Sequence, residues 1–388
     1  MINNRCPICS NKKNTIIKEI KNFPVYQGCV TKKELQRFKF KFYTKKWKQC
    51  NNCTSLFLSS IPPLKYIYFR GHATGYGATW ERHYKKFSDF ILNQSKKNEK
   101  FIDVGGGTGI LAKEILKKQK SVKLNILEPS PSDEIKKIKK IKIIKKNADY
   151  LYKNAHKYDS FIFSHSLEHI NNLNSFLDGF IENANINSNI FISWPQQENW
   201  IKKSIPGTIN FEHTFFINLA NLIKLMQSKG LYFHKKQYFE KHSVFLYFSK
   251  INLKKNKLFF KNYSKKNFID INEYYKKYEK IYLKDEIKKI NLRKVYLMPA
   301  SIYSQYIYYY LKDIISFSVV IDNSKSKQGK FLFGTNLKIY SKKILKNHKK
   351  TSIILSGGFH TSEIKTNILK FNNQLQIIDT EKLLNAKN

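Results

Sequence analysis

Short apolar runs recur through the middle of the chain, and polar or glycine-containing segments separate them. The runs that read as strands cover 101–104, 122–127, 141–144, 158–163, 189–193, 231–233 and 244–248. Amphipathic segments over 80–93 and 110–118 predict helices. Strands that alternate with helices predict a mostly parallel sheet with helices on both faces, and the last two strands read as a terminal pair.

The C-terminal quarter repeats this alternation on a smaller scale. Apolar runs at 294–298, 316–321 and 352–355 predict strands, and helices are expected over 300–311 and from about Thr361 onward. Residues 251–290 are rich in Lys and Tyr, contain few helix breakers and predict a helical connector. We therefore expect four regions: an N-terminal module (1–75), an α/β core (76–250), the connector (251–290) and a Rossmann-like domain (291–388).

The 388-residue chain has 41% hydrophobic and 26% charged residues, a composition that is ordinary for a globular protein. No apolar run approaches the roughly 18 residues that a membrane helix requires. The first residues, Met1 to Cys6, lack the apolar segment of a secretory signal. These features predict a cytoplasmic protein without a membrane span.

The formal net charge of +43 would ordinarily suggest a nucleic-acid partner. Only five of the 71 basic residues are arginine, the side chain that best recognises phosphates and base edges. Lysine is instead spread along the whole chain beside many Asn and Ile residues. We interpret the charge as AT-rich codon usage on solvated surfaces and expect no nucleic-acid partner.

Two CxxC pairs, Cys6/Cys9 and Cys50/Cys53, lie about 40 residues apart. Each pair can present two thiolates from one tight turn, and two facing turns complete a tetrahedral sulfur shell. The spacing predicts a structural Zn²⁺ site with no open position for chemistry. Cys29 is left over and is expected to be buried.

A glycine turn follows the strand at 101–104. Asp103 ends the strand, and Gly105, Gly107 and Gly109 precede the helix over 110–118. Such a turn allows close approach of a ligand, and the helix N-terminus favours a negative group. Glu128 stands 19 residues after Gly109, at the end of the next strand, where a carboxylate can bind both hydroxyls of a ribose.

This order of elements resembles the S-adenosylmethionine site of class I methyltransferases. The resemblance implies cofactor contacts from Asp103, the three glycines and Glu128. It also implies that Asp149 lies near the adenine amine, while Tyr76, in the aromatic segment before the core, covers the ligand. An NAD site is the alternative, but its fingerprint requires a third glycine where this chain has Ile110.

The whole chain resembles the three-domain sugar C-methyltransferases of nucleotide-linked deoxysugar pathways. The segments that carry this resemblance are 76–83, 210–216, 322–330 followed by Gly334-Thr335, and 356–364, while 158–170 resembles the fourth strand of class I methyltransferases in general. Two departures stand out: Asn210 replaces a tyrosine common in that family, and the turn at 298–301 lacks the usual glycines. The resemblance implies S-adenosylmethionine as methyl donor and a nucleotide-linked keto-deoxysugar as substrate.

Methylation of carbon beside a carbonyl needs a base to form an enolate and a donor to hold its oxygen charge. Imidazole suits the base because its pKa lies near working pH. His213, oriented by its neighbour Glu212 or by a carboxylate across the site, is the first candidate for the base. His169 is the candidate partner or enolate donor. Four other histidines, His72, His83, His165 and His360, are expected on the surface or in packing roles.

Three other functions stay open at this point. The chain could methylate oxygen or nitrogen on a sugar or another small metabolite, because Asn210 removes the phenol that assists enolisation. It could be an RNA methyltransferase that grips RNA with its zinc module and basic surface. It could also be a non-catalytic scaffold, although the complete glycine turn with Glu128 argues against this. The oligomeric state is not predicted.

Overall fold

The computed structural model describes residues 2–38, 41–69, 78–132, 134–138, 140–205, 208–253, 270–290, 294–346, 351–358 and 361–385. Tyr76, which we expect to cover the ligand, lies outside these residues. The described chain forms four sheets, with seven, five, four and two strands. No helix in the described ranges is long and apolar enough to cross a membrane.

The N-terminal region consists mainly of antiparallel strands. Its elements are β1 (Asn14–Pro24), β2 (Cys29–Val30), α1 (Lys32–Arg37), β3 (Phe42–Cys50), β4 (Leu56–Leu58) and α2 (Leu64–Ile67). The short helix α1 begins at a capping box, in which Thr31 and Glu34 satisfy each other's backbone N–H groups. Cys29 is buried, as expected.

The middle of the chain alternates helices and strands. Its elements are α3 (Ala78–Leu92), β5 (Lys100–Val104), α4 (Ile110–Lys118), β6 (Lys123–Leu127), β7 (Lys142–Ile144), α5 (Leu151–Asn154), β8 (Ser160–Ser164), α6 (Leu173–Asn183), β9 (Asn189–Pro195), α7 (Gln197–Lys202), β10 (Phe215–Phe216), α8 (Leu219–Ser228), β11 (Tyr232–Phe239) and β12 (Ser243–Ser249). The predicted strands are all present, with bounds shifted by a few residues.

These strands form the seven-stranded sheet in the order β11-β12-β9-β8-β5-β6-β7. The five strands from β9 to β7 pair in parallel. Strand β12 runs antiparallel to both β9 and β11, so the predicted terminal pair is confirmed. This is an α/β fold of the class I methyltransferase type, with a mixed sheet. The parallel strands all end at one edge, called the carboxyl edge below.

The C-terminal region forms a second α/β unit. Its elements are α9 (Ile271–Glu279), α10 (Asp285–Lys288), β13 (Val295–Met298), α11 (Ile302–Leu311), β14 (Phe317–Ile321), β15 (Phe331–Leu332), β16 (Ile339–Tyr340), β17 (Ser352–Leu355), α12 (Thr361–Leu369), β18 (Gln376–Asp379) and α13 (Thr380–Asn385). Five of these strands form a parallel sheet in the order β16-β14-β13-β17-β18.

Strands from distant parts of the chain complete the smaller sheets. Strand β10, from the middle region, pairs with β4 and so extends the N-terminal sheet. Strand β15, from the C-terminal region, pairs with β2. One hydrophobic cluster contains buried residues of the N-terminal, middle and C-terminal regions. The N-terminal region therefore buries its apolar surface against both of the others.

A buried lysine lies where the three regions meet. Lys45 on β3 is 0% exposed, and its Nζ donates to the carbonyl oxygen of Ile209 (3.2 Å) and to the hydroxyl of Tyr306 on α11 (2.8 Å). The Phe23 ring centroid lies 3.3 Å from Nζ. Burial holds the pKa of Lys45 well below its ordinary value, because the charged amine loses its hydration.

Lys45→Met tests this account of the junction. The unfolded chain protonates Lys45 below about pH 10.5, whereas the folded chain protonates it only at lower pH. Wild-type stability therefore rises with pH between these two values, by up to about 1.4 kcal/mol per pH unit. Methionine does not titrate. The free energy of unfolding in urea should therefore fall less in the variant than in the wild type as the pH is lowered. Parallel pH profiles would mean that Lys45 is charged in the fold.

Candidate functional site

The glycine turn lies at the carboxyl edge, between β5 and α4. Gly105, Gly107 and Gly109 have φ values of 78°, 51° and 73°, a region that side chains other than glycine rarely adopt. The Gly105 N–H donates to the carbonyl oxygen of Leu127 at the end of β6. This bond joins the turn to the neighbouring strand, which carries Glu128.

Close packing around the turn leaves no room for side chains. A Cβ atom at Gly106 would lie 2.8 Å from Asp103 Oδ2 and 2.8 Å from Ile126 Cγ2. A Cβ atom at Gly105 would lie 2.9 Å from the Cβ of Ser166. The backbone of the turn is therefore the surface that a ligand would meet.

Glu128 is held in place by backbone N–H groups. Its Oε2 accepts from Gly107 (3.3 Å) and its Oε1 accepts from Ser130 (3.0 Å). The side chain is 9% exposed. Each carboxylate oxygen has a second lone pair, so Glu128 can also accept from two ligand hydroxyls.

The residues present fit an adenosyl ligand. Three buried polar atoms near the turn have no hydrogen-bond partner: Asp103 Oδ1, Ser164 Oγ and Ser166 Oγ. Burial and the neighbouring Glu128 raise the pKa of Asp103 to about 7. Such atoms require a partner that the folded chain does not supply, which is what a polar ligand at the turn would offer.

Asp149 is exposed, five residues after the end of β7. Strand β7 lies beside β6, and the Glu128 N–H donates to the carbonyl oxygen of Ile144 at its end. The structure therefore places Asp149 after the strand next to that of Glu128. Its role at the adenine stays a prediction, as does that of Tyr76.

The two predicted imidazoles lie together. The ring centroids of His169 and His213 are 5.1 Å apart. Nδ1 of His169 lies 2.9 Å from the carbonyl oxygen of Glu212, and Nδ1 of His213 lies 2.8 Å from that of Thr208. A carbonyl only accepts, so both Nδ1 atoms carry the proton in the neutral rings. Each Nε2 is then left as an unprotonated base.

Asn210 holds the loop that carries His213. Its Oδ1 accepts from the N–H groups of Glu212 (2.7 Å) and His213 (2.8 Å). Asn210 therefore has a clear structural role at the position where the resembling family has tyrosine. Glu212 contributes its carbonyl oxygen to His169, and its carboxylate is buried.

Two further residues join this group that the sequence did not single out for chemistry. A carboxylate oxygen of Glu168 and one ring nitrogen each of His169 and His213 lie within 4.8 Å of one another. The Tyr68 ring packs edge-on against His169, with centroids 6.4 Å apart. Burial, together with Glu212, Glu168 and Glu128, raises the pKa of Tyr68 well above its ordinary value.

Tyr68 therefore lies beside the imidazole pair, and the Glu128 carboxylate of the donor side also acts on its phenol. The signal for Glu168 was visible in the sequence as its position next to His169. The signal for Tyr68 was not, because α2 reaches the site only through packing of the N-terminal region.

The four paired cysteines meet as predicted. Sγ of Cys6 lies 3.6 Å from that of Cys53, and Sγ of Cys9 lies 3.5 Å from that of Cys50. All four sulfurs lie within 4.8 Å of one another. A tetrahedral shell with metal–sulfur bonds of about 2.3 Å has sulfurs about 3.8 Å apart, so this cluster fits one Zn²⁺ ion.

Comparisons with known proteins bear on the middle region. Residues 76–236 match the family model of a methyltransferase domain, a span of less than half of the chain. No curated protein matches the sequence.

Solved structures give distant matches, and the three named here are each 12% identical to this chain. They include the pyocyanin biosynthetic protein PhzM (TM-score 0.33; 42% of this chain and 54% of that one) and the O-methyltransferase NcsB1 from neocarzinostatin biosynthesis (0.35; 44% and 56%). Magnesium protoporphyrin IX methyltransferase from Synechocystis PCC 6803 is a third (0.36; 46% and 90%). The chain thus spans about half the length of the first two.

At these TM-scores the structural matches add no argument about function. The family model, however, covers the glycine turn, Glu128 and both imidazoles. Residues 76–236 of this chain are a methyltransferase domain.

Proposed function

We propose that the chain is an S-adenosylmethionine-dependent methyltransferase that acts on a nucleotide-linked keto-deoxysugar and methylates carbon through an enolate. The observation that carries the proposal is the imidazole pair with fixed tautomers, against which the Tyr68 ring packs edge-on. The methyltransferase-domain match supports the reaction class. The substrate class rests on the sequence resemblance.

The donor would be held by the turn and the strand-end acids. The backbone of Gly105 to Gly107 offers close approach, and Glu128 offers acceptors to the ribose hydroxyls. The orphaned Asp103 oxygen lies beside the turn and can accept from a donor group of the ligand. When bound, the sulfonium supplies an electrophilic methyl group, so the chain's own residues need only align the acceptor and remove a proton.

His213 is the proposed base. Its Nδ1–H is tied to the Thr208 carbonyl, so its Nε2 is free of the proton and the ring cannot turn without losing that bond. Asn210 fixes the backbone from which the ring projects. A neutral, oriented imidazole can take the proton from a carbon beside a carbonyl.

The enolate oxygen needs donors close to the base. Tyr68 remains protonated because its pKa is raised, so its hydroxyl can donate to a developing negative charge. His169 lies beside His213 and can donate once it is protonated. Glu168, buried next to both rings, would stabilise that positive charge.

The Cys6/Cys9/Cys50/Cys53 cluster is proposed to hold a structural Zn²⁺ ion. All four positions of a tetrahedral ion would be filled by sulfur, which leaves none for substrate. Hydrogen bonds from the Cys53, Cys6 and Cys9 thiols hold the pKa of Cys50 below its ordinary value. The ion would join the turn before β1 to the turn between β3 and β4.

The direct test is incubation with methyl-labelled donor and a panel of nucleotide 4-keto sugars, followed by mass spectrometry and NMR of the product. Carbon methylation predicts a new C–CH₃ signal and loss of deuterium from the ring carbon that receives the methyl group. A methyl signal on oxygen or nitrogen would support the alternative small-molecule reaction. Label that enters added RNA, with affinity falling steeply as salt rises, would overturn the proposal.

Glu128→Ala is expected to weaken donor binding by more than about tenfold, since two hydrogen bonds to a carboxylate are lost. Isothermal titration calorimetry with S-adenosylhomocysteine measures this. Glu182→Ala, an exposed carboxylate on α6, is the matched control and should bind like the wild type. Equal affinities for both variants would remove Glu128 from the ribose contact.

His213→Asn should lower turnover by about 10²- to 10⁴-fold while donor affinity stays unchanged. The asparagine amide can still donate to the Thr208 carbonyl, but it has no counterpart of the basic Nε2. Exposed His156→Asn is the control. Turnover within threefold of the wild type would assign the base to another residue.

Cys50→Ser should remove one equivalent of zinc per chain, measured by mass spectrometry of the metal, and lower the midpoint of thermal unfolding. Cys29→Ser, at a buried cysteine outside the cluster, should keep that equivalent. A Cys50→Ser protein with unchanged zinc content and stability would contradict the structural role.

A further inference from the structure

Three histidines from distant parts of the chain meet at the carboxyl edge, beside the candidate site. His83 lies on α3, His165 directly follows β8, and His242 lies in the turn between β11 and β12. One ring nitrogen of each lies within 4.8 Å of the other two. We expected His83 and His165 to be surface or packing residues. The structure brings both into one cluster with His242.

The three rings form a nearly equilateral triangle. Their centroids are 5.4 Å (His83–His165), 5.6 Å (His83–His242) and 5.3 Å (His165–His242) apart. The centre of such a triangle lies about 3.1 Å from each centroid, the side divided by √3. A zinc ion about 2.0–2.1 Å from a ring nitrogen lies at nearly this distance from the centroid of that ring.

A serine hydroxyl lies within hydrogen-bond distance of each ring. His83 Nε2 lies 2.8 Å from Ser193 Oγ. His165 Nε2 and His242 Nδ1 lie 2.7 and 2.6 Å from Ser243 Oγ. Metal-ligating histidines are commonly fixed in this way, by a hydrogen bond on the ring nitrogen that does not ligate.

The other nitrogen of His83 supplies the second, independent observation. His83 is 0% exposed, and its Nδ1 is buried without a hydrogen-bond partner. A neutral imidazole with an unused, buried nitrogen is suited to metal ligation and is costly without it.

The surroundings complete a site for a cation. The Trp80 ring caps the triangle, with its centroid 5.1, 5.0 and 4.6 Å from those of His83, His165 and His242. A Glu168 carboxylate oxygen lies 3.5 Å from His165 Nδ1 and brings negative charge to one side. His165 also adopts φ of 51°, which is unusual for a residue other than glycine.

We propose that His83, His165 and His242 form a second metal site, separate from the four cysteines, for a divalent ion that prefers imidazole, such as Zn²⁺. Through Glu168 the site adjoins the His169–His213 pair. A bound ion would attract the Glu168 carboxylate from one side, while His169 and His213 lie on its other side. The metal site stands on its own geometry and does not depend on the proposed substrate.

Zinc titration of the full chain tests the proposal. The protein is stripped of metal under reducing conditions, titrated with Zn²⁺ by calorimetry and analysed for bound metal after dialysis. The wild type should bind two equivalents. His83→Ala and His242→Ala should each bind one, whereas His234→Ala should bind two, because His234 is bonded to Ser249 Oγ outside the triangle.

Cys50→Ser separates the two sites, because it should lose the thiolate equivalent and keep the histidine one. Retention of the thiolate zinc and of S-adenosylhomocysteine binding shows that the two histidine variants are folded. One equivalent of Zn²⁺ is first added to fill the cysteine site. Added Co²⁺ should then give an imidazole-type absorption in the wild type and none in the two histidine variants. One equivalent in the wild type, or two in both histidine variants, would show that the triangle is only a packing cluster.

Discussion

The carbonyl oxygen of Ile209 is the point on which the acceptor side of the site depends. It accepts from Lys45 of the N-terminal sheet and from the Tyr306 hydroxyl of the C-terminal region. One residue earlier, the Thr208 carbonyl holds the His213 ring. The candidate base is therefore positioned by three regions of the chain at once, and a methyltransferase core without its two flanking regions would lack that support.

The residues proposed to bind the methyl donor come together in a different way. Parallel strands bring their carboxyl ends to one edge, so Asp103, the glycine turn and Glu128 become neighbours through the sheet itself. These residues could be predicted from the sequence because strand, turn, helix and strand-end acid are local signals. The CxxC pairs are local in the same sense, and their meeting needed only one antiparallel pairing, that of β1 with β3.

The remaining contacts could not be predicted from the sequence. Tyr68 reaches the imidazoles by tertiary packing, and no periodicity marks it. The His83–His165–His242 triangle joins a helix, a strand end and a hairpin turn, and an isolated histidine more often serves in packing. The Lys- and Tyr-rich run predicted as a connector contains α9 and α10, and three of its described tyrosines, Tyr274, Tyr275 and Tyr278, are buried. Tyr274 and Tyr278 donate to the carbonyl oxygens of Ile205 and Ser204, shortly before Thr208 in the chain.

The central claim is that the glycine turn presents a methyl group to the imidazole pair. A crystal structure grown with S-adenosylhomocysteine tests this most directly. The account predicts ribose hydroxyls on Glu128 and the sulfur directed toward the His169–His213 pair. Crystals that hold the ligand elsewhere, or that show both imidazoles turned away from the sulfur, would contradict it.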